Sequence, residues 1–282
     1  MSIADVLASF NIGYDNLIFG ISIVPITVKP LYVGSFTFDE AGTTITGLSD
    51  IGKIKIQYNP ELILPEEGPT GEAVTALGDG TNMNGIFLYA ETVEDVTTNY
   101  APAAVILPDT LTKIGKWTFA IDPSATYEAT MTSITLPEGL VEIGQTAFQN
   151  SKLTSISIPD SVTTMGNGAF TGSADLTSVK LSKNVKDIPQ AAFSSGTSAT
   201  MSLKEVVIPE GVETIGSKAF DTAHVESLRL PSTLKEIGTY AFQNHQMTEV
   251  VIPGSVTEIG NYAFRVSNPD LPKCLETVTL NE

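Results

Sequence analysis

From Leu107 onward, apolar and polar positions fall into one frame that returns seven times. In one copy Leu153, Ile156 and Ile158 alternate with polar residues up to Pro159; Val162, Met165-Gly166 and Ala169-Phe170 follow. Another copy runs Val225, Leu228, Leu230, Pro231, Leu234, Ile237-Gly238 and Ala241-Phe242. The alternation predicts a strand with one buried face. Proline ends that strand because it has no N–H for a ladder. The glycine suits a tight bend, and the Ala-Phe pair predicts a small and a large side chain packed into the returning side of a coil. Each buried phenylalanine contributes on the order of 2–3 kcal/mol.

The other copies carry Leu107-Pro108 with Phe119, Leu136-Pro137 with Phe148, Ile208-Pro209 with Phe220, and Ile252-Pro253 with Phe264. One copy is degenerate, with Ser182 for the proline and Ile188-Pro189 for Ile-Gly. In all seven the proline position precedes the phenylalanine by 11 residues, so the inside of the coil accepts no insertion. A weaker first unit lies around Leu62–Pro65 and Ala76-Leu77-Gly78, with an insertion and no phenylalanine in frame. A unit of about 22 residues cannot bury its own apolar face, so neighbouring units must stack into a ladder of parallel strands. The expected fold is an elongated, right-handed solenoid: an α/β-type repeat dominated by β, with irregular or short helical returns.

The strand signature L-x-x-I-x-I and the longer pattern L-P-x-x-[VL]-x-x-I-G-x-x-A-F resemble the BspA-type leucine-rich repeats of bacterial surface proteins. The resemblance covers Leu107 to Glu282 well and the first unit weakly. It implies a non-enzymatic adhesion or recognition module, extracellular or surface-displayed, that binds protein or glycan.

Residues 61–282 are thus assigned to the solenoid, regular from about residue 102, and residues 1–60 to a separate small β-rich domain. In the latter, Leu17–Val28, Tyr32–Phe38 and Lys53–Tyr58 read as strands, with a turn at Asp39–Gly42. Its role is either to cap the solenoid or to attach it to a larger assembly. The last strand, Leu275–Leu280, has no evident cap. Self-association or a larger assembly, such as a phage virion or surface filament, through residues 1–60 or this strand is the alternative expectation.

Unit length varies only between the phenylalanine and the next strand, where the intervals are 12, 5, 6, 10, 5, 5 and 11 residues. Long loops therefore recur every third unit, at 120–130, 194–202 and 265–274, and must emerge along one edge. Insertions so placed often form a binding edge; Asp122, Tyr127, Arg265 and Asp270 are its candidate residues. The second candidate surface is the outward strand face. One row holds Ser133, Ser155, Ser178, Glu205, Ser227, Glu249 and Thr277; the next holds Thr135, Ser157, Lys180, Val207, Arg229, Val251 and Thr279. A flat, hydroxyl-rich face suits shallow contact with protein or glycan, or is ordinary strand surface. Lys180 and Arg229 among Glu205 and Glu249 read as cross-strand neutralisation.

Composition narrows the function further. Hydrophobic residues at 42% and charged residues at 17% describe a folded chain, and a net charge of −17 repels phosphate backbones and anionic headgroups. Neither nucleic acid nor membrane insertion is expected. Met1–Phe10 has no basic run, and the apolar stretch 17–28 is broken by Gly20, Ser22, Pro25 and Thr27, so neither a signal peptide nor a span is read there. The single cysteine, Cys274, excludes an internal disulfide and reads as a packed thiol. His224 and His245 fall on adjacent coils near the same turn, beside Asp221, but two histidines are too few for a closed metal site. No phosphate loop, nucleophile elbow or calcium loop occurs, so neither catalysis, metal nor cofactor is expected.

Overall fold

The computed structural model describes residues 33–81, 85–127, 130–196, 201, 203–267 and 275–281. The predicted strand at 17–28 lies outside them. The described chain is a β-dominated repeat solenoid in which each coil has three sides, each side stacked on the same side of the neighbouring coils.

The first side carries the alternating strands. Their register follows the repeat frame: Glu61–Ile63 pairs in parallel with Ala104–Ile106, Ser155–Ser157 with Ser178–Lys180, Glu205–Val207 with Ser227–Arg229, and Glu249–Ile252 with Thr277–Leu280. The inward residues Leu62, Val105, Ile156, Val206 and Val250 are buried. Residues 131–136, expected as a strand, form no ladder of this kind.

The second side is a ladder of two-residue strands ending at the isoleucine of Ile-Gly. Ala76–Leu77, Lys113–Ile114, Glu142–Ile143 and Thr164–Met165 form one parallel run; Asp187–Ile188, Thr214–Ile215, Glu236–Ile237 and Glu258–Ile259 form another. Within each run the glycine N–H donates to the isoleucine-position carbonyl of the preceding coil, as Gly144 does to Ile114 and Gly238 to Ile215. The break falls at the degenerate copy. Pro189 stands in the glycine position and has no N–H to give Met165.

The repeated glycine is explained by packing and not, as expected, by a bend that needs its conformational freedom. A Cβ on Gly166 would sit 2.2 Å from the Gln145 backbone nitrogen, and one on Gly238 2.6 Å from that of Ser217. The positive φ falls two residues later, on Trp117, Thr146, Gly168, Ala191, Lys218, Tyr240 and Tyr262. Six of these seven are not glycine, so stacking of coils holds a backbone that L-residues disfavour by about 1–2 kcal/mol.

The third side is built of turns. Here the phenylalanine N–H donates forward: Phe148 to Ala169, Phe170 to Ala192, Phe220 to Ala241 and Phe242 to Ala263. The rings from Phe119 through Phe264 consequently form one stack, with centroids 5.0–5.4 Å apart and planes within 16° of parallel. The stack continues toward the N-terminus through Phe87, 5.5 Å from Phe119, to Phe36, set edge-on at 6.3 Å. Phe87 is the phenylalanine that the first unit was expected to lack; residues inserted after Gly78 displace it from the frame.

Residues 33–60 join the ladder directly. Phe36–Phe38 and Thr44–Leu48 form an antiparallel pair about the Asp39–Gly42 turn, and Thr44–Leu48 pairs in parallel with Ala76–Leu77. Asp39 Oδ1 accepts from the Thr43 and Thr44 N–H groups to close the turn. The strand expected at 53–58 is instead part of an α-helix, Asp50–Tyr58. Ser49 caps it, accepting from Gly52 N–H and donating to Gly34 O, with Asp50 favourably placed in the first turn. Only Ile56 of the apparent Ile54/Ile56 alternation is buried; Ile54 is 51% exposed.

Candidate functional site

The described residues of the two candidate surfaces differ in shape. On the strand side Ser155 lies opposite Ser178, Ser157 opposite Lys180, Glu205 opposite Ser227, Val207 opposite Arg229, and Glu249 opposite Thr277. All these side chains are exposed. The Arg229 guanidinium lies 3.5 Å from the Glu205 carboxylate on the neighbouring strand, so these two charges answer each other across the ladder. Ser133 sits in the segment without ladder bonds. With Thr135 it lines a shallow cleft of about 360 Å³ against Ala104–Ile106.

The loop edge holds a larger feature. Ile121, Asp122, Pro123, Thr126 and Tyr127 from the first long loop form a wall, and the short connections of the next coils form the floor of a half-open groove of about 700 Å³. The floor carries Gln149, Asn150 and Lys152, then Thr171, Gly172 and Ala174, and ends at Ser195-Gly196, where the second long loop begins. Two short connections between longer ones leave a trough. The rule that insertions cluster on one edge points to the walls, Asp122 and Tyr127, but misses the floor, whose residues share positions one to four places after each phenylalanine.

The wall is fixed from three directions. Asp122 Oδ1 accepts from the N–H and hydroxyl of Ser124, and this bonding holds its carboxyl below the ordinary range. Asn150 Nδ2 donates to Ile121 O from the floor. From the N-terminal side, Asn99 Nδ2 donates to Thr126 O, and the backbones of Asn99 and Tyr127 form a parallel bridge. Asn99 belongs to an antiparallel hairpin, Tyr89–Val93 with Val96–Tyr100, that occupies the same frame position as the long loops. Burial, with the Asp122 charge as a smaller contribution, raises the Tyr127 phenol above its ordinary value. Lys152 pairs with Asp175 at 3.4 Å. Ser195 is only 2% exposed, and its hydroxyl has no hydrogen-bond partner among the described residues.

Arg265 lies outside this groove, on the last described coil, with its guanidinium 5.1 Å from the centre of the Tyr262 ring. Asp270 and Cys274 lie outside the described residues. The two histidines are buried separately. His245 Nδ1 accepts from Met247 N–H at 3.0 Å, so Nε2 carries the proton and donates to Phe264 O at 3.1 Å; both ring nitrogens are engaged by backbone. Burial lowers the pKa of His245 and of His224. Burial likewise raises that of Asp221, partly offset by the Thr222 hydroxyl and Lys218. Among the described residues no three His, Cys, Asp or Glu side chains gather at metal-binding distance, and no helix is long and apolar enough to cross a membrane.

The frame that builds both surfaces is that of a known repeat: residues 99–200 and 198–280 match the model of the BspA-type leucine-rich-repeat region, in six copies. The chain belongs to the BspA-type leucine-rich-repeat family. No curated protein sequence matches it. Its fold is similar to that of a leucine-rich-repeat protein from Bacteroides ovatus, at 22% identity and a TM-score of 0.54, over 88% of this chain and 69% of the other. A leucine-rich-repeat protein from Eubacterium ventriosum is similar at 23% identity and a TM-score of 0.47, over 77% of this chain and 61% of the other. The likeness to the Bacteroides ovatus protein concerns the fold alone. The groove and its lining belong to the BspA-type coils of this chain.

Proposed function

We propose that this BspA-type solenoid is a non-enzymatic, surface-displayed recognition module that binds protein or glycan through its loop edge, with the strand face as a flanking contact. One observation carries the reading: the braced groove of about 700 Å³ lined by Asp122, Tyr127, Gln149, Asn150, Lys152 and Ser195. Its wall is held before any ligand arrives, which lowers the ordering cost of binding. The floor offers hydroxyls, amides and one paired lysine, a lining suited to hydrogen-bonded recognition. Binding of immobilised host-surface proteins or glycans by the wild type, weakened at least tenfold by Asp122→Ala with Tyr127→Ala and less than threefold by Arg229→Ser on the flanking strand face, supports the groove. Equal binding by all three forms would move the site elsewhere.

A second reading, self-association or assembly, is favoured by the last described coil. Ile259, Val278 and Leu280 are 48%, 54% and 73% exposed, whereas Ile237, Val250 and Ile252 at the same frame positions one coil earlier are at most 4% exposed. A surface of that kind is stabilised by whatever continues the stack. Light scattering across a concentration series decides: an oligomer abolished by Val278→Asp with Leu280→Asp supports it, and an unchanging monomer removes it.

A further inference from the structure

We infer that the loop-edge groove accepts a neutral, extended, β-1,4-linked oligosaccharide of about four residues, lying along the solenoid axis. This deepens the recognition reading above and rests on it.

Four successive coils line the groove, and the Phe119, Phe148, Phe170 and Phe193 rings beneath them mark coil-to-coil steps of 5.2, 5.0 and 5.2 Å. Equivalent floor positions therefore recur at that interval: Gln149 is followed by Thr171 and Asn150 by Gly172. An extended β-1,4-linked sugar chain advances by a closely similar distance per residue, so successive rings meet successive coils in the same register. An extended peptide advances about 3.3 Å per residue, or about 6.6 Å between side chains on one face, and slips out of register within two coils.

The lining agrees with that spacing. Gln149 and Asn150 bring amides, Asn150 with one N–H already given to Ile121 O, and Thr126, Thr130 and Thr171 bring hydroxyl oxygens, that of Thr171 donating to Ser194 O and keeping its acceptor lone pairs. The Asp122 carboxylate, oriented by Ser124, retains acceptor capacity for a pair of sugar hydroxyls. Tyr127 is half-buried in the wall and offers a ring on which a sugar face can stack. The buried Ser195 hydroxyl at the far end, without a hydrogen-bond partner among the described residues, is a polar group that a ligand can satisfy. Charge selects against anionic chains: the protein carries −17, and Lys152, the one cation among the described residues that line the groove, already faces Asp175.

The test is titration calorimetry of the full chain with cellohexaose, mannohexaose, xylohexaose and chitohexaose, beside maltohexaose, an oligogalacturonate hexamer and a mixed nonapeptide library. We expect at least one neutral β-1,4-linked hexaose to bind, with affinity rising from dimer to tetramer and then levelling. Tyr127→Ala and Gln149→Ala should each weaken it tenfold or more, and Tyr127→Phe, which keeps the ring, less than threefold, with thermal unfolding checked for all three. Preference for oligogalacturonate or maltohexaose, absence of binding by every neutral β-1,4-linked hexaose, or sugar binding indifferent to Tyr127→Ala and Gln149→Ala would overturn the inference. Peptides binding with the same variant sensitivity while sugars do not would overturn it too, yet leave the groove as a recognition site. No groove-sensitive binding of either class would remove both readings.

Discussion

Phe170 stacks on Phe193 with ring centroids 5.2 Å apart and planes 4° from parallel, and both are fully buried. The pair is one step of a column that runs along the described solenoid, and it makes each coil's stability depend on its two neighbours. Phe170→Ala should cost roughly 3–5 kcal/mol. Because contacts in a repeat array are nearest-neighbour, the loss should appear in hydrogen exchange as faster opening of residues 148–193, with the coils around Phe242 least affected. Uniform acceleration across the chain would contradict that prediction.

Two glycine substitutions separate packing from backbone conformation. At Gly238 φ is ordinary, but a Cβ would lie 2.6 Å from Ser217 N and 2.7 Å from Gly216 C, both immobile backbone. At Gly196 φ is +70° with nothing within 4 Å. Gly196→Ala should cost only about 1 kcal/mol, the left-handed penalty of an L-residue. Gly238→Ala forces coils apart and should cost more, about 1–3 kcal/mol. Chemical denaturation of both variants checks the order.

How much of this was legible in the sequence follows from what each residue needs in order to act. The strands, the phenylalanine column and the parallel stacking were legible because Pro159, Gly166 and Phe170 recur at fixed intervals; the reason for the glycine, close approach of the Gln145 backbone, shows only when coils stack. The helix Asp50–Tyr58 was misread as a strand because Ile54 and Ile56 alternate, although Ser49-Asp50 ahead of them is the stronger signal once capping is weighed. Phe87 escaped because the insertion after Gly78 hides its place; only stacking on Phe119 reveals it. The groove walls were legible in loop length. Its floor was not, since Asn150 and Ser195 are ordinary surface types alone and converge only when coils stack.

Acid should destabilise the fold earlier than its carboxylates alone would dictate. Burial lowers the pKa of His224 and of His245, whose ring also bonds Phe264 O, from an ordinary value of 6.5. The folded form therefore binds these protons less readily than the unfolded chain. Stability is complete above about pH 6.5 and falls as the pH drops through that value, until the folded histidines themselves protonate. The hydrogen-bonded carboxylates Asp160 and Asp122, held low by Lys183 and Ser124, add their loss only below about pH 4. His245→Asn, whose amide oxygen can still accept from Met247 N–H, should flatten the decline in Tm between pH 7 and 5. An unchanged slope would mean that His245 takes up its proton as readily in the fold as in the unfolded chain.

Pro189 offers the complementary experiment, a repair. The ladder on the second side runs unbroken from Thr44–Leu48 to Thr164–Met165 and again from Asp187–Ile188 to Glu258–Ile259, and the gap lies where the missing N–H would meet Met165 O. Pro189→Gly restores a donor at the frame position that glycine holds in the other copies. The new hydrogen bond contributes about 1 kcal/mol, and the freedom that glycine gives the unfolded chain offsets a similar amount. Net stability should therefore change little, while the new amide at position 189 becomes protected from exchange to the same degree as those of Gly166 and Gly216, since all three would open only when neighbouring coils part. A freely exchanging amide at 189 would show that the two runs are separated by backbone geometry and not by proline's missing proton.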